Sequence, residues 1–111
     1  MPLSRKNRLK EKKDFDRVFK NGKTIKGRFL LVKYTNMIAK TPKFGFVVSA
    51  KIAKRAVDRN RVKRLLSNNV QNNLGRMTKD AVILVLRLPS KESEKTLISQ
   101  ETADLIQKLY D

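Results

Sequence analysis

The chain has 111 residues, 40% hydrophobic and 6% aromatic, with a net charge of +17 and an isoelectric point near 10.7. That length supports one domain with a modest core, and the charge sets the partner class as a polyanion, either nucleic acid or an anionic membrane surface. The absence of cysteine and histidine excludes disulfides, thiolate metal sites, a cysteine nucleophile and the commonest general base.

Residues 1–8 read as a flexible basic arm that becomes ordered near Leu9. Phe15, Val18 and Phe19 follow at i, i+3, i+4, which predicts a short amphipathic helix with Asp14 near its start. Asn21-Gly22 ends it, with Gly22 available for a left-handed cap. Thr24 to Asn36 reads as extended. Alternation places Leu30, Val32 and Tyr34 on one face, and Phe29, Leu31 and Lys33 on the other, and Gly27 marks a break after a short first strand. A turn over 37–42 and a strand over 43–49 complete an expected antiparallel meander.

The next helix, over about 57–74, carries the stripe Val62, Leu65, Leu66, Val70 and Leu74, with Asp58 as the expected N-cap and Gly75 as the expected C-cap. Asp80 to Leu88 is almost continuously apolar, so a strand covered on both faces is expected. Residues 90–98 read as a polar loop. Ser99 reads as the N-cap of a final helix over 100–110, whose buried stripe is Ile98, Thr102, Leu105, Ile106 and Leu109. The resulting fold class is α+β in the order αβββαβα, one domain over 1–111 with a mostly antiparallel sheet. No window approaches the ~18 apolar residues of a membrane span and the N-terminal stretch lacks a signal-peptide core; the expectation is a cytoplasmic protein with no membrane association and no small-molecule substrate.

The charge is unevenly spread. Residues 51–64 hold seven Lys/Arg against one Asp/Glu, whereas residues 88–111 hold three against five. The dense stretch contains Lys51, Lys54, Arg55, Arg59, Asn60, Arg61, Lys63 and Arg64. Its cations crowd a helix N-terminus, where the macrodipole already places roughly half a positive charge, and Arg59/Lys63 and Arg61/Arg64 repel at i, i+4 and i, i+3. A solvated basic face is the plain alternative, but this placement points to an anion bound there. The arginines offer planar forks for phosphate, and Asn60 an amide for a base edge or sugar hydroxyl. Phe15 and Phe19 have two readings: both in the core, or one ring partly exposed for base stacking. No His/Cys cluster, glycine-rich phosphate loop or nucleophile elbow is present, and Asp14 and Asp16 diverge on their helix. An autonomous active site is therefore not expected.

Ala56-Val57-x-Arg59-Asn60-Arg61-x-Lys63-Arg64 resembles the signature of the protein subunit of bacterial ribonuclease P. The resemblance runs over roughly 8–110: Arg8-Leu9, Asp14-Phe15, Val18-Phe19 and Gly22 look like that family's opening, and Phe44 to Ser49 and Asp80 to Val85 like its flanking strands. It implies an α/β sandwich with an unusual left-handed βαβ crossover. It also implies a protein cofactor of a ribozyme: the RNA subunit, with Mg²⁺, removes the 5′ leader of precursor tRNA, and the protein binds ribonuclease P RNA and leader. By this resemblance Lys51, Arg59, Asn60, Arg61, Lys63 and Arg64 meet the catalytic RNA near the leader; Lys54 and Arg55, in the same basic stretch, are expected to join them. Phe15, Phe19 and Lys33, with Tyr34 beside it, line the leader cleft. The chain departs from the family pattern at Lys54, at Ser67-Asn68 and at the small Val70. The alternatives are a small ribosome-associated structural RNA-binding protein without an enzymatic partner, a DNA-binding regulator and a self-sufficient nuclease.

Overall fold

A computed structural model describes residues 3–110 and, within them, all side chains except that of Arg76. The order is α1 (Lys12–Asn21), β1 (Lys23–Lys26), β2 (Leu30–Asn36), β3 (Phe44–Val47), α2 (Ala56–Gln71), β4 (Lys79–Val85) and α3 (Lys91–Gln107). The strands form one sheet in the order β1-β2-β4-β3. The expected meander is therefore wrong in one respect: β3 does not pair with β2. β4 inserts between them, antiparallel to β2 along its full length (Leu30↔Val85 to Asn36↔Lys79) and parallel to β3 (Phe44↔Ala81 to Val47↔Leu84). β3, α2 and β4 thus make a βαβ unit. The most apolar strand takes the central place, where both of its faces are covered: Ala81, Val82, Ile83 and Val85 are all buried.

Strand alternation separates two clusters. Leu30, Val32, Phe44, Phe46, Ala81, Ile83 and Val85 face α2 and α3 and join Leu66, Val70, Ile98, Leu105 and Ile106 in the main core. Val82, with Val47 and Leu84 beside it, faces the other way and packs on Leu9, Phe15, Val18 and Phe19 of the α1 layer.

Several helix ends differ from the sequence expectation. Arg55, not Asp58, occupies the N-cap position of α2, and Asp58 lies in the first turn. Asn72 closes α2, and Gly75 falls in a separate 3-10 turn. α3 begins at Lys91 after Ser90, so the expected polar loop over 90–98 is helix and Ser99 is internal. Its charged residues are solvent-facing helix positions, and Glu94 among them turns inward. Gly22 is not left-handed; its φ is −83°. A side chain there would strike the Val18 carbonyl and approach the Tyr34 carbonyl to 2.9 Å, so glycine is required by the close approach of α1 to β2. The basic arm is packed from Leu3 onward: Leu3 is buried, Arg5–Asn7 forms a 3-10 turn, and Arg8 bridges to Phe44. Residues 1 and 2 of the arm lie outside the described residues.

Candidate RNA interface

The loop entering α2 is held from within. The Ile52 and Ala53 amides donate to the Ser49 carbonyl at 3.1 Å each. Arg59 Nη1 donates to the Ala53 carbonyl (2.9 Å) and the Lys54 carbonyl (2.8 Å), closing the loop against the first turn of the helix. Its remaining guanidinium nitrogens have no acceptor among the described residues, so Arg59 can brace the loop and still meet a phosphate.

Arg61 is placed differently. Its Nε donates to Glu94 Oε1 (3.0 Å), its Nη2 to Glu94 Oε2 (3.2 Å) and its Nη1 to Asp58 Oδ1. Arg55 Nε completes the chain on Asp58 Oδ2 at 3.1 Å. Arg55, Asp58, Arg61 and Glu94 form a network of zero formal charge that fastens α2 to α3. The Arg55 and Arg61 hydrogen bonds hold the Asp58 carboxyl below its ordinary value of 3.8. Glu94 first, then Asp58, raises Arg61 above its own. The self-repulsion read from the sequence is thus partly relieved by Glu94, a residue 33 positions away. Arg61 belongs to the signature, yet all three of its nitrogens bond within the protein.

Asn60, Lys63 and Arg64, at i, i+3 and i+4, share a helix face. Asn60 and Arg64 are exposed and Lys63 is half-buried, while Lys51, Lys54 and Arg55 are exposed around the entry loop. Ser67, one of the departures from the family pattern, is buried and donates to the Lys63 carbonyl at 2.8 Å.

Lys63 also reaches a groove of about 210 Å³, lined by Arg8, Leu9 and Phe15 around the Phe44–Phe46 stretch of β3. The half-buried Phe15 ring lies directly on Gly45, where any Cβ would strike it. Phe19 packs further along the same layer. Lys33 pairs in register with Val82 and so projects to the α1 side of the sheet, where its Nζ donates to Thr24 Oγ1 at 3.2 Å. Tyr34 projects to the opposite side and packs against the main core. It lines a separate polar cavity with Asn21, Lys23, Asn36 and Lys79. The structure therefore brings Phe15, Phe19 and Lys33 to one face and removes Tyr34 from it.

Two groups escaped the sequence reading. Asp80 is 1% exposed; its carboxylate accepts from Arg17 Nη2 and from the Lys43 amide (2.8 Å), fixing α1 and the start of β3 together. Arg8 lies in the opening motif, but only its bridge to β3 places it on the groove. Neither pairing has a local signal, because the partners lie tens of residues apart.

A groove lined by Phe15, the Phe44–Phe46 stretch, Arg8 and Lys63 thus lies beside a basic helix, the makings of a surface for a polyanion. The model of the Ribonuclease P family matches residues 3–110. The ribonuclease P protein component of Macrococcus caseolyticus is 36% identical over 77% of this chain and 74% of its own length. That of Caldanaerobacter subterraneus is 35% identical over 94% and 91%. The Staphylococcus aureus RNase P protein superposes with a TM-score of 0.79 at 28% identity, covering 95% of this chain and 98% of that one. The Thermotoga maritima RNase P protein, at 21% identity, shares the fold with a TM-score of 0.76 over 94% and 98%. The chain belongs to the ribonuclease P protein component family. It is the protein subunit of a ribonucleoprotein endoribonuclease, a cofactor in 5′ processing of tRNA, and nothing in these comparisons favours the ribosome-associated alternative. No helix among the described residues is long and apolar enough to cross a membrane.

Proposed function

We propose that the groove between α1, β3 and α2 holds the single-stranded leader of precursor tRNA, while Lys51, Lys54, Asn60 and Arg64 meet the catalytic RNA. The observation that carries this reading is the Phe15 ring seated on Gly45, with Lys63 and Arg8 at the rim of the same groove. A ring there stacks a base, worth roughly 1–3 kcal/mol, without selecting which base. The cations take phosphates and lessen the repulsion between two RNAs brought together. Such a protein lowers the Mg²⁺ needed for cleavage and favours precursor over mature tRNA.

The protein is a poor host for that Mg²⁺. Among the described residues no three carboxylates cluster. The two carboxylates beside the basic helix, Asp58 and Glu94, are each neutralised by arginine. We assign the metal to the RNA subunit, whose phosphates suit a hard cation that keeps much of its water. This chain's part is to position the leader and screen charge.

The test is cleavage of a 5′-labelled precursor tRNA at low Mg²⁺ by the protein alone, by a bacterial ribonuclease P RNA alone, and by both together. The expected result is cleavage at the mature 5′ end in the mixture only, weakened by Phe15→Ala. RNA binding without rescue of cleavage would return the protein to the ribosome-associated alternative.

A further inference from the structure

A second cavity, of about 160 Å³, adjoins the groove. Arg5, Lys6, Arg8, Lys10 and Lys43 line it, and Glu11 and Asp14 face them. Arg8 lines both cavities. Five cations against two carboxylates leave a local excess of three positive charges, and Glu11 already bonds Lys13 at 3.3 Å.

These cations do not ride on a free arm. Asn7 is buried, its Nδ2 donates to the Pro42 carbonyl at 2.9 Å, and its Oδ1 accepts from Ser4 Oγ at 2.9 Å. The Leu9 amide donates to the Phe44 carbonyl at 3.0 Å, laying the segment along β3. The first turn of α1 opens beside the cavity, and no side chain caps it, so the helix end adds its partial positive charge. Arg8 Nε is buried without an acceptor among the described residues. No aromatic side chain lines this cavity. It is equipped to hold an anion and not to stack a base.

We propose that this cavity is a second phosphodiester subsite, which takes backbone phosphates of the leader beyond the nucleotides held at Phe15. It rests on the leader-binding reading of the groove. The leader is the favoured source because neighbouring residues alternate between the two cavities: Lys43 lines one and Phe44 the other, Lys10 one and Leu9 the other, and Arg8 both. A strand leaving the first cavity enters the second without crossing a gap. The chemistry is a phosphate contact without base selection, so affinity rises with leader length and responds to salt, whatever the leader sequence.

The test uses the reconstituted holoenzyme and the double variant Lys6→Gln/Lys10→Gln. Both lysines are exposed, and neither ammonium has an acceptor among the described residues. Affinity is measured for a precursor with a long leader and for one whose leader is cut to a few nucleotides, across a salt series. The expected result is several-fold weaker binding of the long-leader precursor only. Its log–log salt slope becomes shallower by about 1.4, from roughly 0.7 per single-strand contact. Equal weakening for both precursors would transfer these cations to the catalytic RNA and overturn the proposal, as would no weakening. The control Lys91→Gln/Lys108→Gln removes the same charge from the first residue and the C-cap of α3, on the other side of the sheet, and is expected to spare leader-length dependence; an equal effect there would reduce the subsite to net charge and overturn it. Wild-type holoenzyme indifferent to leader length would sink the leader reading itself, whereas leader dependence unchanged in the Lys6/Lys10 variant would sink only the subsite.

Discussion

On the side of the sheet covered by α2 and α3, Leu30, Val32, Phe44, Phe46, Ala81, Ile83 and Val85 are all buried. On the side covered by α1, Val82 is buried beneath the helix, but Leu31, Lys33, Val47 and Leu84 around it are only half-buried. The difference is one of coverage. α2 and α3, of 16 and 17 residues, are each about 25 Å long and about 10 Å wide, enough to cover four strands spaced about 4.8 Å apart. α1 has 10 residues, is about 15 Å long, and leaves part of its face open. The sealed side holds the fold together. The open side leaves apolar surface, a ring and cations uncovered, as the proposed leader groove requires.

Asp80 ties α1 to the sheet, and its loss should loosen the α1 side most. Asp80→Ala leaves Arg17 partly buried and unpaired, with an expected loss of about 3–5 kcal/mol in urea unfolding. Little change would mean that α1 is held by apolar packing alone. Adjacent residues of β4 give the next contrast. Ile83→Ala, on the sealed side, is expected to cost about 2–5 kcal/mol. Leu84→Ala, on the open side, should cost clearly less and should weaken leader binding instead. Equal losses of stability would mean that the two sides are equally sealed.

Glu101 acts on the sealed side. Its carboxylate accepts the Arg28, Phe29 and Leu30 amides at 2.6–2.8 Å, pinning α3 to the start of β2. Glu101→Gln is expected to cost about 2 kcal/mol, as hydrogen bonds to a charged group do, with the salt dependence of RNA binding unaltered.

The smallest effects separate the cations of α2. Lys63→Ala should make the salt slope of leader binding shallower by about 0.7 and leave stability nearly unchanged. Arg61→Ala should lower stability with almost no change in that slope. Asp58 supplies the pH test. Its folded value is lowered, so the stability it contributes is complete above 3.8 and is lost as pH falls through the lower folded value. Asp58→Asn should therefore flatten the acid limb of the stability profile, and an unchanged limb would remove Asp58 from the network.

Much of this was legible in the residues. The α2 and α3 stripes, the doubly covered β4 and the break at Gly27 follow from periodicity and turn chemistry, which are local. The errors were tertiary. The start of α3 was missed because Glu92, Glu94 and Lys95 read as a loop until Glu94 finds Arg61. β3 was placed beside β2 because chain order suggests a hairpin, whereas the more apolar β4 gains more by taking the centre. Tyr34 was grouped with Lys33 although a one-residue step turns a side chain to the other side of a sheet.

Composition and pattern by themselves determined that the partner is a polyanion, that the elements run αβββαβα, and which residues form the stripes, because charge and periodicity are properties of neighbours along the chain. Only the tertiary structure decided which signature cations are bonded within the protein. Arg61 and Asn60 are adjacent and equally suited to a phosphate or a base until α3 brings a buried carboxylate to one of them. Electrostatic competition depends on distance in space, and no spacing along the chain reports it.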